Sequence, residues 1–253
     1  MLHKSDLIIL DACRYDLFKS ANILEGKLQR FHSRGSHTGE FIQQNFKNGS
    51  FRDVVYVSSN PNPASEADAE FAAVEEVWKT GWDDDLHTVP PKEMVDETIR
   101  AEERYPNKRL ISHFLQPHYP WIGPKGQEFM SKNGYRSQNR DDHIWIQLEN
   151  GKLTKEQIWE VYEENLRITL PYIRDLSDSL SGKTVITSDH GNAFGEWEVY
   201  GHPPGAYIDP LVQVPWLELP YDKRKKIRTT EEGVKFSDEQ LPTEQLRDPG
   251  YVE

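Results

Sequence analysis

Cysteine occurs once in 253 residues, at Cys13. A single thiol excludes an internal disulfide and a cysteine-based zinc finger, and it fits a reducing compartment. Long apolar runs are missing too. The longest, Leu7 to Leu10, is far too short to cross a bilayer. Only the six residues Met1 to Asp6 precede it, and they do not read as a secretory signal. Basic charge is in deficit, with 30 Lys and Arg against 42 Asp and Glu and a net charge of -12. With no basic stripe, general nucleic-acid binding is not expected. An acidic protein still takes an anion where a cation or a local Arg/His cluster reverses the field in a cleft. No internal repeat is evident. These absences predict a soluble cytoplasmic protein, with peripheral attachment at a membrane left open. Nothing in the sequence sets an oligomeric state.

What is present suits one α/β domain with a large core, over residues 1–220, followed by a polar tail over 221–253. Asp6-Leu-Ile-Ile-Leu-Asp11 is a continuous apolar run ending in an acid, the pattern of a central parallel strand buried on both faces. A helical face of Cys13, Leu17, Phe18 and Ala21 follows. Val54–Ser59, Arg109–Phe114 and Thr184–Thr187 read as further strands. Phe71–Trp78 fits a short strand or a helix. Pro91–Arg104 reads as an amphipathic helix opened by proline. Thr154-Lys-Glu-Gln157 is a capping box before a long helix to about Leu180, with Pro171 expected to kink it. Val212–Leu219 is a last strand, and Pro215 places it at an edge. Residues 124–151 are weakly patterned and read as an excursion over the cleft, a candidate lid. The tail is charged and expected to pack loosely or to dock on a partner. The predicted fold is a doubly wound, mostly parallel central sheet with helices on both faces.

In such sheets ligands sit beyond the strand C-termini, and that is where the chemistry-bearing residues fall. Asp11 ends the first strand. Asp189-His190-Gly191 ends the Thr184 strand, so a carboxylate oxygen and an imidazole nitrogen can meet one ion. Thr38 is placed at the cap of a helix carrying Phe41, Ile42 and Phe46, where free N–H groups favour an anion or alkoxide. Ser36 is the rival hydroxyl. His118 stands in a stiff loop between Pro117 and Pro120, and His202 in a Gly/Pro-shaped loop. Carboxylates, a hydroxyl and imidazoles together suit a hard-to-borderline divalent ion such as Zn²⁺ or Mn²⁺, with Mg²⁺ or Ca²⁺ as further candidates.

Leu-Asp-Ala-Cys-Arg-Tyr-Asp at 10–16, Gly-Ser-His-Thr at 35–38, Gln-Pro-His-Tyr-Pro at 116–120, Thr-Ser-Asp-His-Gly at 187–191 and Gly-His-Pro at 201–203 occur in one order. In that order the chain resembles the alkaline phosphatase/sulfatase superfamily, especially its short sulfatase-like members. The resemblance implies one divalent metal held by Asp11, Thr38, Asp189 and His190. It also implies Thr38 as nucleophile and His118 and His202 as residues that bind metal or the substrate's anionic group. One histidine, His202 in preference, is then placed to protonate the leaving alcohol, and Arg14 or Arg34 to help hold the anion. Cys13 lies in no Cys-x-Pro-x-Arg context, so a formylglycine sulfatase is not implied. Gln116 stands where two-zinc members carry an acid. The pattern looks more like the one-metal phosphoglycerol and phosphoethanolamine transferases. The implied activity is hydrolysis or transfer of a phosphate or sulfate ester, with glycan or lipid head groups as candidate substrates. A different reading is a non-catalytic descendant that binds an anion or glycan in the same cleft.

Overall fold

The computed structural model describes residues 5–60, 68–134 and 140–237. The first apolar run forms β1 (Asp6–Leu10), buried throughout. Side chains alternate across a strand, so Leu7 and Ile9 enter one core cluster and Ile8 and Leu10 the cluster on the other face. In chain order there follow α1 (Tyr15–Ala21), β2 (Lys27–His32), α2 (Thr38–Phe46), β3 (Ser50–Ser58), β4 (Glu70–Glu76), α3 (Pro91–Arg104) and β5 (Arg109–Phe114). Then come α4 (Pro124–Lys132), α5 (Ile144–Glu149), α6 (Lys155–Ser179), β6 (Thr184–Ser188), β7 (Ala193–Phe194), β8 (Tyr200–Gly201), α7 (Asp209–Val212) and β9 (Gln213–Glu218).

Seven strands form one sheet in the order β2-β9-β6-β1-β5-β3-β4. The pairs β6-β1, β1-β5, β5-β3 and β3-β4 are parallel, and β9 runs antiparallel to both its neighbours. The two faces are covered unequally. Helices α1, α3 and α6 pack on the face of Ile8 and Leu10. Among the described residues α2 is the helix that supplies the other cluster, through Ile42 and Phe46. There Phe46, Tyr56 and Phe71 meet edge-on or tilted, with ring centroids 5.3–5.8 Å apart. Such pairs add to plain area burial.

Two expectations change. Pro215 does not mark an edge, because β2, a strand with mostly exposed positions that pattern reading passed over, covers β9. The register of β9 with β6 ends at Thr187↔Trp216, so the N–H that Pro215 lacks falls beyond that ladder. Its carbonyl accepts from the Thr187 hydroxyl at 2.8 Å. The Phe71–Trp78 ambiguity resolves into both readings, β4 and then a 3-10 turn over Val77–Lys79. Helix α6 starts on the predicted capping box and continues through Pro171.

The 124–151 stretch carries α4 and α5; its residues 135–139 lie outside the described residues, as do Pro61-Asn62-Pro63 after β3 and residues 238–253 of the tail. The described tail packs on its own domain. Val234 bridges to Phe71, and Phe236 joins the aromatic cluster. Lys225 sits 2.7 Å from Asp6 and also pairs with Glu102, with its side chain 6% exposed. Removing one partner of a buried ion pair strands the other charge. Lys225→Ala is therefore expected to cost about 3 kcal/mol, measured by chemical denaturation at neutral pH. A loss indistinguishable from that of an exposed lysine would contradict this.

Candidate active site and metal centre

Leu10 and Ser188 pair in the β1-β6 ladder, so the next residues, Asp11 and Asp189, stand abreast. By alternation both belong to the face of Ile9 and Thr187, the face that α2 covers. Both carboxylates are fully buried. Asp189 Oδ1 accepts from the Ala12 and His190 N–H groups, at 3.0 and 2.8 Å. The first of these bonds holds Ala12 in its left-handed turn, φ 56°. Asn60 donates to Asp11 Oδ2 at 3.1 Å.

His190 completes the group. Its Nδ1 lies 2.8 Å from the Gly191 carbonyl, which can only accept, so Nδ1 carries a proton and Nε2 faces the acids. Nε2 is 3.5 Å from Asp11 Oδ1 and 3.6 Å from Asp189 Oδ2. Donor atoms of Asp11, Asp189 and His190 all lie within 4.8 Å of one another. A tetrahedral ion with bonds of about 2.1 Å has ligand–ligand edges of about 3.4 Å. The spacing and the donor chemistry therefore fit a divalent cation, and Asp189 Oδ2 is buried with no hydrogen bond of its own.

The hydroxyl reaches the same point from α2. Thr38 is not the cap, as the sequence suggested, but the first helical residue. His37 caps the helix, its Nδ1 accepting from the Gly39 N–H at 3.1 Å. Relieved of capping, Thr38 Oγ1 lies 3.1 Å from His190 Nε2. Ser36 is already committed, donating to Glu40 at 2.8 Å or the Pro203 carbonyl at 3.0 Å.

Two more imidazoles stand beside His190. The His202 ring centroid is 5.1 Å from that of His118 and 4.8 Å from that of His190. His118 donates through Nδ1 to the Tyr119 carbonyl, and His202 Nδ1 lies 2.8 Å from Asn192 Oδ1. Burial lowers the pKa of both, against the pull of Asp11 on His118 and with help from His190 on His202. Burial also opposes charge on His190, but the Asp189 and Asp11 carboxylates outweigh it and lift His190 to about 9.

Arg14 is not aimed at this cleft. It pairs with Asp16 at 2.6 Å and Glu196 at 2.9 Å, donates to the Asn192 carbonyl at 3.0 Å, and lies over Trp159. Arg34 is exposed on the loop before α2. Gln116 turns away to Thr88 and the Val89 carbonyl, at 3.3 and 3.1 Å. Sequence reasoning passed over Asn60, Asn192 and His113. For His113 a signal existed, an ionisable residue inside an otherwise buried strand.

No family model and no curated protein matches the sequence of this chain. Solved structures do match it. The soluble domain of lipooligosaccharide phosphoethanolamine transferase A from Neisseria meningitidis is 12% identical with a TM-score of 0.54, over 85% of this chain and 76% of that one. A 2-O GAG sulfatase is 10% identical with a TM-score of 0.51, over 88% of this chain and 65% of that one. The C-terminal periplasmic domain of EptC from Escherichia coli, in complex with Zn, is 11% identical with a TM-score of 0.50, over 84% and 72%. No described helix of this chain is long and apolar enough to cross a membrane.

As a ligand His190 would use its Nε2 lone pair, on which the Asp189 and Asp11 carboxylates favour a proton. Affinity for Zn²⁺ should thus fall as pH falls, with about one proton released per ion at pH 7. Calorimetry in buffers of different ionisation enthalpy measures that proton. Zero release would contradict the assignment.

Proposed function

We propose that this chain, whose fold is that of the alkaline phosphatase/sulfatase superfamily, is a metal-dependent hydrolase or transferase of phosphate or sulfate esters with Thr38 as its nucleophile. The observation that carries the reading is the Thr38 hydroxyl, 3.1 Å from His190 Nε2 at the mouth of two buried carboxylates. Asp11, Asp189, His190 and Thr38 would hold the cation. When bound, such an ion favours the alkoxide form of a hydroxyl and offsets charge on the ester oxygens.

The other residues supply positioning and protons. Thr38 opens α2, so the positive end of the helix dipole lies beside its oxygen and favours negative charge there. Thr38 Oγ1 gives up its proton to solvent and bonds to phosphorus or sulfur as the bond to the ester oxygen breaks on the opposite side. Burial disfavours charge on both His118 and His202, and on His202 the neighbouring His190 and His118 add to it. An arriving anion reverses that balance and favours a proton on the free nitrogen of His202, which then passes to the leaving alcohol. Asn192 fixes the other nitrogen, at 2.8 Å. Water or a second alcohol then attacks the Thr38 ester, giving hydrolysis or transfer.

Phosphoethanolamine transfer and sulfate ester cleavage are named for the structural neighbours, and either ester class suits the anion-binding histidines proposed here. Glycan or lipid head groups remain the proposed carriers of the ester. A cytoplasmic placement, for which the single buried thiol speaks, belongs to the proposal as well, alongside neighbours described as periplasmic domains.

On a panel of phosphate monoesters, phosphate diesters and sulfate esters, Thr38→Ala should lower turnover by about 10³-fold or more. It should leave metal binding in place, while Ser36→Ala retains turnover. A Thr38→Ala protein as active as the parent would remove Thr38 from this role. Stoichiometric metal with no turnover on the whole panel would favour the non-catalytic anion binder.

A further inference from the structure

Beneath the carboxylates lies a polar pair that the reaction above does not use. His113 on β5 pairs in register with Ile9, two residues before Asp11, and by alternation it belongs to the face that α2 covers. Its ring is fully buried. Nδ1 lies 2.8 Å from the Tyr56 hydroxyl, and Nε2 lies 3.6 Å from Asp189 Oδ2. Neither of those facing atoms has a hydrogen bond elsewhere. Tyr56 is itself fully enclosed, and burial keeps its phenol protonated. A phenol that keeps its proton and meets only an imidazole nitrogen donates to it. That leaves the His113 proton on Nε2, pointing at Asp189.

We propose that Tyr56 and His113 form a buried relay that orients the Asp189 carboxylate for the cation. This rests on the metal-dependent reading above. His113 is a positioning residue, not a ligand: it lies outside the group of donor atoms gathered by Asp11, Asp189 and His190. The geometry explains why an imidazole occupies the interior of a central strand. Asp189 Oδ1 is held by two backbone N–H groups, and His113 restrains the other oxygen from below. The carboxylate can then neither rotate nor turn away when the ion leaves. Asn60 does the equivalent for Asp11 at 3.1 Å. Partners of this kind commonly change metal affinity by about 10–100-fold.

The test is Zn²⁺ affinity of the whole chain, by competition with a chromophoric chelator, for the parent, His113→Leu, His113→Gln and Tyr56→Phe. His113→Leu should bind about 10–100-fold more weakly. His113→Gln, whose amide N–H can reach the same oxygen, should recover most of the loss. Tyr56→Phe should show a smaller loss, because the imidazole proton is no longer assigned. If His113→Leu does not fold, the Gln and Phe variants decide. Parent-like affinity in His113→Leu, or in Tyr56→Phe, overturns the relay. Pulsed EPR of bound Cu²⁺ separates positioning from ligation. One coordinated imidazole in both the parent and His113→Gln supports the relay, and two falling to one overturns it. A parent protein that binds no Zn²⁺ overturns the metal-dependent reading itself.

Discussion

Two carboxylates buried side by side are the constraint on which this molecule turns. Asp11 and Asp189 extend neighbouring parallel strands by one residue each, and both are sealed from solvent. Like charges in a low-dielectric interior repel strongly. The surrounding structure answers with fixed donors: two backbone N–H groups and the Asn60 amide, with the His190 imidazole against both acids. His190 and His113 hold Asp189 well below the usual carboxylate range even against burial. A protonated His190 partly neutralises the pair. A divalent cation would neutralise it fully, and the spacing of the three donor groups fits one.

The rest of the fold serves that point. Tyr162 donates to the Ala12 carbonyl and accepts from the Arg14 N–H, and Ser188 accepts from the Cys13 N–H at 2.9 Å. These bonds clamp the turn that presents Asp11. On the other side, Phe46 locks α2 onto Tyr56 and Phe71, so the end of the helix that bears Thr38 is fixed by packing two turns away. Rigid support of this kind is what a site needs when its groups must keep to within about 0.5 Å.

Much of this was legible in the sequence. The strand ending in Asp11 is an apolar run and the one ending in Asp189-His190 is rich in β-branched residues, both stopping on ligand-type residues, and α3 and α6 have strong start signals. What could not be read was pairing. Whether Asp11 and Asp189 stand abreast depends on β1 and β6 being neighbours, which no local pattern states. The same gap hid His113, whose meaning appears only once β5 lies beside β1. It also misplaced Pro215, because β2 is half-exposed and carries no apolar run. Thr38 was displaced by one position because histidine is an uncommon cap, and the pairing of Arg14 with Glu196, 182 residues away in sequence, is one that no local pattern states.

Anomalous diffraction from crystals grown with saturating Zn²⁺ tests the central claim most directly. The account predicts one ion between the ends of β1 and β6, bonded to Asp11, Asp189, His190 and the Thr38 hydroxyl. An empty space between those strand ends, or an ion that Thr38 does not touch, would contradict it.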